Sequence, residues 1–213
     1  MKLITIHQKL FIIFRRRRMK QFFALFAPSA QTRVVDIGGA TNTWLAETTN
    51  ETAFPVTLVN LRFPDRLDGN RFTAVSGDAT ALPFADASFD IAFSNSVIEH
   101  MTTWERQQAF AQEARRVAGR LWIQTPARSF PLEPHLLSPF FQYLPRKLQT
   151  RLARHFTLWG LLTKPTPERV EEMISDIRLL TYREVKQLFP DCRILKERVL
   201  GLTKSYIAIR DAV

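Results

Sequence analysis

The sequence predicts an α/β protein with a doubly wound, mostly parallel sheet of seven strands. Short apolar segments rich in β-branched residues alternate with helical patterns along the chain, as such a sheet requires. The last two apolar segments are joined by a turn that contains glycine, which indicates an antiparallel pair at the sheet edge. A length of 213 residues with 46% hydrophobic residues is sufficient for one domain with a single core.

The first strand is predicted at residues 33–37, where two valines suit a strand that is covered on both faces. Asp36 places a carboxylate at the carboxyl end of this strand. Two glycines follow, and they let the backbone turn sharply and approach a ligand closely before a helix begins near Thr41 or Thr43. A binding crevice is therefore expected just beyond Asp36.

The remaining elements follow the same alternation to the end of the chain. The helix predicted at 181–188 begins with a capping box, in which a threonine and the glutamate three residues later cap each other's backbone. Strands are predicted at 56–60, 72–76, 89–94, 120–125, 193–200 and 205–210, and helices at 105–117 and 181–188.

A second motif covers residues 77–100, GDATALPFADASFDIAFSNSVIEH. Together with VVDIGGATNT it resembles the class I S-adenosylmethionine-dependent methyltransferases, in particular the type 11-like subset that reads D-x-G-x-G-x-G and then G-D-A-x-x-L-P-F-x-D-x-S-F-D. The resemblance covers the motifs from about Val34 to His100 and the order of elements to the C-terminus. It implies a Rossmann-like fold, S-adenosylmethionine as cofactor and methyl transfer as the activity.

The cofactor has a cationic sulfonium, an amino-acid tail, a ribose and an adenine, so its site needs carboxylates and close backbone approach. The resemblance implies that Asp36 faces the methionine ammonium and that Gly38 and Gly39 form the turn beside it. It also implies that Asp78 accepts from the adenine amino group and that the N–H of Ala79 reaches the ring. The alternative roles are a helix cap for Asp36 and a turn for Asp78.

Three positions depart from the family pattern. Ala40 and Asn42 stand where the second and third glycines are usual, and Asn60 ends the second strand where an acidic residue usually accepts both ribose hydroxyls. Asn60 remains the predicted ribose residue, although an amide gives a weaker bond than a carboxylate. Asp65 or Asp68 could substitute for it. Because of these departures, a non-catalytic binding protein with this fold remains an alternative.

Residues that follow the fourth strand are the candidates for catalysis. Asn95 ends this strand at the edge of the crevice and is predicted to contact the cofactor, and Glu99 and His100 follow it. His100 has a suitable ordinary pKa for a general base, and Glu99 could orient it or act alone. The alternative is that His100 only packs beside its apolar neighbours.

Residues 126–170 form an insertion dense in proline and aromatic residues, where the fifth strand opens into the site. Such an insertion is typical of a substrate lid, and His135 is its candidate catalytic residue. The alternative is a helical cap that carries His135 on its surface. No metal site is expected, because the histidines are scattered in the sequence and no HExxH motif occurs.

The formal net charge is +10, from 30 Lys and Arg against 20 Asp and Glu. Four arginines at residues 15–18 lie between two apolar blocks that are too short to cross a bilayer. Residues 1–30 are therefore predicted to be a basic amphipathic helical extension of a methyltransferase domain at 31–213. Residues 11–26 could lie on an anionic membrane, or the helix could close over the cofactor crevice.

The predicted function is methyl transfer from S-adenosylmethionine to a small-molecule, lipid-linked or cell-surface saccharide acceptor. An RNA methyltransferase is the alternative that the charge favours, but SNSV stands at 94–97 in place of the N-P-P-[YFW] tetrad of base methylation. Nucleic acid is therefore the less favoured partner. The single cysteine indicates a reducing compartment, so a cytoplasmic location is expected, with attachment to the inner face of the membrane as an option.

Overall fold

The structure is a computed structural model that describes residues 2–45, 54–62 and 71–211, and only the backbone of residues 2–12. Nine strands and seven helices lie in these ranges. The strands are β1 (Val34–Ile37), β2 (Val56–Asn60), β3 (Phe72–Ser76), β4 (Phe89–Asn95), β5 (Ala118–Pro126), β6 (Leu132–Glu133), β7 (Ser138–Pro139), β8 (Arg193–Val199) and β9 (Leu202–Arg210). The helices are α1 (Lys2–Phe26), α2 (Thr41–Leu45), α3 (Trp104–Val117), α4 (Arg146–Phe156), α5 (Leu158–Thr163), α6 (Pro167–Ser175) and α7 (Tyr182–Leu188).

Seven strands form one sheet in the order β3-β2-β1-β4-β5-β9-β8. The first five are parallel, and β9 is antiparallel to both β5 and β8. The predicted fold class is therefore confirmed. Because the strand order reverses between β1 and β4, the crevice beyond their carboxyl ends is the place where such a sheet binds its ligand.

Each face of the sheet has its own hydrophobic core. Neighbouring strand residues point to opposite faces, so Val35 joins the core beneath α3 and α7, whereas Val34 joins the core beneath α1 and α2. The helices therefore cover both faces, which explains why the central strands are almost continuously apolar.

The C-terminal half of α1 belongs to the second of these cores. Met19, Phe22 and Phe26 are buried there, and the ring of Phe22 contacts Trp44 and Trp122 with centroids 5.7 and 5.8 Å apart. Met19, Phe22 and Phe26 thus pack against the sheet, so these three side chains are not exposed for contact with a membrane. None of the described helices combines the length and the hydropathy needed to cross a bilayer.

The insertion after β5 has a small core of its own. It begins with the β6–β7 hairpin and continues through α4, α5 and α6, which extends to Ser175 and thus beyond the predicted end at residue 170. Five buried residues hold these helices together: Leu136, Phe141, Ala153, Val170 and Ile174. The segment is a helical layer set on a two-stranded hairpin, and its action as a lid stays a prediction.

Candidate functional site

A tight glycine turn follows β1 and closes over the end of the strand. Gly38 has φ +75°, a conformation that suits glycine, and its N–H donates to the carbonyl of Val59 at 2.7 Å. A Cβ at Gly39 would lie 1.8 Å from Oδ2 of Asp36. Only a glycine at position 39 therefore lets the backbone lie against this carboxylate.

The carboxylate of Asp36 is buried beneath this turn, with 1% of the residue exposed. Its Oδ2 accepts a hydrogen bond of 2.8 Å from Nε1 of Trp44, while Oδ1 has no partner in the described part of the chain. Burial raises the pKa of Asp36 to about 7, although the Trp44 bond and the charge of Arg15 act in the opposite direction. A carboxylate in this state favours a cationic partner.

Asn60 connects the end of β2 to the same turn. Its Nδ2 donates to the backbone carbonyl of Gly39 at 2.8 Å, and no described residue donates to its Oδ1. An aspartate could not donate this bond, which gives a physical reason for the amide at this position. Asp65 and Asp68, the alternatives for ribose binding, lie outside the described residues.

Asp78 follows β3 and is held on two sides. It accepts from the N–H and hydroxyl of Thr80 at 2.9 and 2.8 Å, and Arg106 pairs with it at 3.0 Å. These bonds, the Thr80 backbone bond first, keep the pKa of Asp78 below its usual value. Both predicted roles remain compatible with this geometry, because the carboxylate forms a turn and is still partly exposed. Ala79, the next residue, packs against the core beneath α3.

Asn95, at the end of β4, is bonded to Arg18 of α1, the last of the four arginines at 15–18. Nη1 of Arg18 donates to Oδ1 of Asn95 at 2.6 Å, and Nε lies 3.7 Å from the carboxylate of Glu197 in β8. Arg18 is buried, whereas Arg15, Arg16 and Arg17 of the same run are exposed. Its position between two partly buried polar partners accounts for the difference.

The structure brings the three candidate catalytic residues together. Glu99 and His100 lie in a 3₁₀ turn, Ile98–His100, just after β4, and His135 lies in the β6–β7 hairpin. One ligand-type atom from each of the three lies within 4.8 Å of the others. The rings of His100 and His135 meet edge to face with centroids 5.2 Å apart. Residues 35 positions apart in the sequence thus form one polar cluster, here called the Glu99–His135 cluster.

Neighbouring polar groups hold two members of this cluster. Thr125 at the end of β5 donates its hydroxyl to Oε2 of Glu99 at 3.0 Å, and Glu133 lies 2.8 Å from Nδ1 of His135. Sequence reasoning did not assign Thr125 a role. Its place at the carboxyl end of β5, beside the residues that follow β4, was the available signal.

Burial and neighbouring charges shift the pKa values in the cluster. Burial raises the pKa of Glu99 to about 7. Burial also lowers the pKa of His100, and the nearby His135 adds to that effect. For His135 burial acts downward, but the hydrogen bond and charge of Glu133 prevail and raise its pKa.

A cavity of about 240 Å³ opens between α1, the carboxyl end of β5 and the β8–β9 hairpin. Its wall is mostly apolar, with Arg18, Lys204 and Gln124 among its few polar groups. The residues that line it are Phe14, Arg18, Ser96, Gln124, Pro126, Ala127, Phe130, Leu132, Pro134, Val199, Lys204 and Ser205. A second cavity, of about 260 Å³, lies within the inserted helical layer.

Residues 35–120 match the family model of a methyltransferase domain. No curated protein sequence matches the chain. The fold is similar to that of 1,6-didemethyltoxoflavin-N1-methyltransferase from Burkholderia thailandensis, solved with its substrate and S-adenosylhomocysteine (TM-score 0.56, 14% identity, 98% of this chain and 84% of that one). A similar fold occurs in an S-adenosylmethionine-dependent methyltransferase from Methanosarcina mazei (0.50, 16%, 85% and 92%). Another occurs in the complex between the Haloferax volcanii Trm112 methyltransferase activator and a methyltransferase (0.54, 13%, 90% and 87%).

The residues at the ends of β1 and β2 fit S-adenosylmethionine, the cofactor of this family. The unpaired oxygen of Asp36 is a buried anionic acceptor that a cationic ammonium would satisfy. The turn at Gly38 and Gly39 allows close backbone approach, and Oδ1 of Asn60 is an acceptor for one hydroxyl. The cofactor supplies an electrophilic methyl group on its sulfonium.

Proposed function

We propose that this chain, which carries a class I S-adenosylmethionine-dependent methyltransferase domain, methylates a small or lipid-linked acceptor with a largely apolar body. The observation that supports this acceptor is the apolar cavity beside β5, which lies at the same edge of the sheet as the glycine turn. Its volume of about 240 Å³ is slightly below the range of about 300–1,000 Å³ that is typical for small-molecule sites. A small acceptor, or the end of a larger lipid-linked one, is of suitable size.

The polar groups of this cavity are few and firmly held, which suits orientation of an acceptor. Ser96 has a left-handed backbone with φ +60°, and its hydroxyl donates to Oε1 of Gln124 at 2.9 Å. A non-glycine residue in this conformation is often found at functional sites, because the surrounding structure must hold it there. Gln124 and Arg18 lie on the same wall. The cavity therefore suits an acceptor that has an apolar body and one polar end.

Helix α1 supports the same location for the acceptor. Phe14 and Arg18 of this helix line the cavity, and Arg18 bonds to Asn95 at the end of β4. Of the two roles open to the basic helix, this favours a cap over the site. Arg15 and Arg17 remain exposed and are the residues available for contact with an anionic surface that presents a lipid-linked acceptor.

We assign Glu99, His100 and His135 to the acceptor side of the reaction. His135 directly follows Pro134, which lines the cavity, and Thr125 links Glu99 to the end of β5. Methyl transfer also depends on alignment of the acceptor with the sulfonium, so positioning by these groups contributes to the rate. A cluster of this kind beside a cavity favours an enzyme over a protein that only binds a ligand.

A variant that fills the cavity tests the proposal. Leu132 lies on the cavity wall and is half-buried, so Leu132→Trp should block the acceptor while the cofactor site at β1 is unchanged. With labelled S-adenosylmethionine and a small-molecule extract, we expect loss of product in Leu132→Trp and unchanged calorimetric affinity for S-adenosylhomocysteine. The matched control is Leu161→Trp on the exposed face of α5, which should retain full activity.

The same assay separates the alternatives. Labelled RNA that disappears on ribonuclease treatment, with steep salt dependence, would replace the small acceptor with nucleic acid. No binding of S-adenosylhomocysteine by the wild-type chain at millimolar concentration, which corresponds to only about −4 kcal/mol, would contradict the enzymatic function itself.

A further inference from the structure

The Glu99–His135 cluster has the composition of a metal site. It contains two imidazoles and one carboxylate, the same donor set that binds zinc in His₂Glu catalytic sites. The donor atoms lie within 4.8 Å of one another, against about 3.4 Å between ligands of a tetrahedral shell with usual bond lengths. Shortening the largest of these distances by about 1.4 Å would therefore close the shell.

Two of the three donor residues are held by a second polar group through their other atom: Glu99 by Thr125 and His135 by Glu133. Glu133 occupies Nδ1 of His135 at 2.8 Å, which leaves Nε2 of that ring for a ligand. The backbone of Asp176, in the loop after α6, lies near the His100 ring and acts to raise its pKa, although burial prevails and lowers it. Metal-binding histidines characteristically donate their second ring nitrogen to a carboxylate or a backbone carbonyl, which fixes the tautomer and the ring orientation.

Glu99 gives an independent indication of a ligand. The residue is fully buried, Thr125 donates to its Oε2, and no group in the described part of the chain donates to Oε1. An unpaired carboxylate oxygen in a buried position is costly unless a cation or a donor satisfies it. Arg18, whose charge acts on Glu99, directs one guanidinium nitrogen at Asn95. A bound cation beside the two histidines would satisfy Oε1.

We propose that Oε1 of Glu99, a ring nitrogen of His100 and Nε2 of His135 bind one divalent transition-metal ion of the Zn²⁺ or Co²⁺ type. Imidazole donors favour these ions over Mg²⁺, which prefers oxygen ligands and retains its water. Three protein ligands leave a coordination position open, as in catalytic rather than structural zinc sites. This site is contrary to the expectation from sequence, which was based on the wide separation of the histidines along the chain.

The open position gives the ion a role that rests on the proposed function. His135 follows Pro134, which lines the acceptor cavity, so the ion would hold an oxygen of the acceptor and orient it toward the sulfonium. The acceptor class then narrows to molecules that carry a hydroxyl or a similar oxygen at the methylated end. Metal binding itself does not depend on this role and is measured without acceptor.

The test uses the full-length chain freed of metal by a chelator and then dialysed. We expect titration with Co²⁺ to give one ion per chain, with the visible absorption of four- or five-coordinate cobalt, and Zn²⁺ to displace it. Glu99→Gln and His135→Ala should each weaken the affinity by about 100-fold or more, beyond the 10–100-fold typical of changes in the surrounding hydrogen bonds. The control is His155→Ala on the exposed side of α4, which should bind like the wild type.

Two further measurements keep the outcomes distinct. His100→Ala changes a more exposed member of the cluster and should also weaken Co²⁺ binding, even where Glu99→Gln fails to fold in a thermal-unfolding control. Equal Co²⁺ affinity in wild type and His100→Ala, or no stoichiometric binding by the wild type, would overturn the metal site. Binding of S-adenosylhomocysteine by that same sample would show that the metal inference alone has failed.

Discussion

Asp36 is the residue whose charge the fold controls most closely. Its carboxylate is sealed by Gly39, bonded on one side by Trp44 and left without a donor on the other. Burial raises its pKa from 3.8 to about 7, and the charge of Arg15 on α1 offsets only part of this effect. The folded chain therefore holds a proton on Asp36 over a pH range in which the unfolded chain has lost it.

This shift predicts how stability depends on pH. Below about pH 4 Asp36 is protonated in both the folded and the unfolded state, so it adds no pH dependence to the free energy of unfolding. As pH rises from there to about 7, the unfolded state ionises first, so the free energy of unfolding falls. We expect wild type to lose stability relative to Asp36→Asn across this window, as measured by urea denaturation at several pH values without cofactor.

The matched control has the opposite sign. Burial acts upward on Asp90, but bonds from the backbone and guanidinium of Arg33 outweigh it and keep the pKa below its usual value. Wild type should therefore lose stability relative to Asp90→Asn as the medium becomes acidic, by a small amount because the pair is exposed. If the free energy of unfolding depended on pH in the same way in wild type and Asp36→Asn, the raised pKa of Asp36 would be contradicted.

Single residues were predicted from the sequence where their role follows from local backbone. Gly38 and Gly39 were identified in this way, because a turn after a buried strand needs their conformations. Arg18 was not, since its burial depends on Glu197, which lies 179 positions later in the sequence. The closeness of His100 and His135 was missed for the same reason: it is created by the insertion folding back onto the end of β4.

At the scale of elements, α1 connects parts of the molecule that are distant in sequence. Its Arg18 bonds to Asn95 in β4 and faces Glu197 in β8. The side chains of the arginine and the glutamate are almost fully buried, so removing Arg18 takes one of two neighbouring cations away from Glu197 in a medium of low polarity.

We expect Arg18→Gln to lower the free energy of unfolding by about 3 kcal/mol, the lower end of the range for breaking a buried pair. The lower end applies because Glu197 keeps Lys204 at 3.5 Å and the hydroxyl of Ser205. Urea denaturation measures the change. The control Arg17→Gln is on the exposed side of the same helix and should change stability by no more than about 0.5 kcal/mol. Equal effects of the two changes would contradict the buried role of Arg18.

Elements with a clear local signal were predicted close to their observed bounds. Strands β2 and β3 coincide with the predicted 56–60 and 72–76, and the capping box of Thr181 and Glu184 is present at the start of α7. The helices of the insertion were not placed, because prolines and aromatics obscure the helical period there. Their stability comes from packing around residues such as Phe141 and Ile174, which a sequence pattern does not reveal.

For the whole molecule, the strand order of the sheet explains why the candidate site residues lie at one edge of it. The parallel strands β1, β2, β4 and β5 all end at the same edge, so the glycine turn, Asn60, the Glu99–His135 cluster and the cavity beside β5 lie on one side. Helix α1 packs on one face and reaches this edge with Phe14 and Arg18. The separation of residues 1–30 from a domain at 31–213 stays a prediction, and the packing of α1 suggests a test.

Phe22 decides whether α1 is an appendage or part of the cooperative unit. The side chain is fully buried among Phe26, Trp44, Phe93 and Trp122, which come from two helices and two strands. Because the cavity left by truncation touches the sheet itself, Phe22→Ala should lower the free energy of unfolding of the whole chain by about 3–5 kcal/mol. Circular dichroism and tryptophan fluorescence should report one shared transition in denaturant.

Phe156→Ala, at a position that is 69% exposed, should shift that transition little. A variant in which helical signal is lost early while the tryptophan transition keeps its wild-type midpoint would instead show that residues 1–30 are a separable extension.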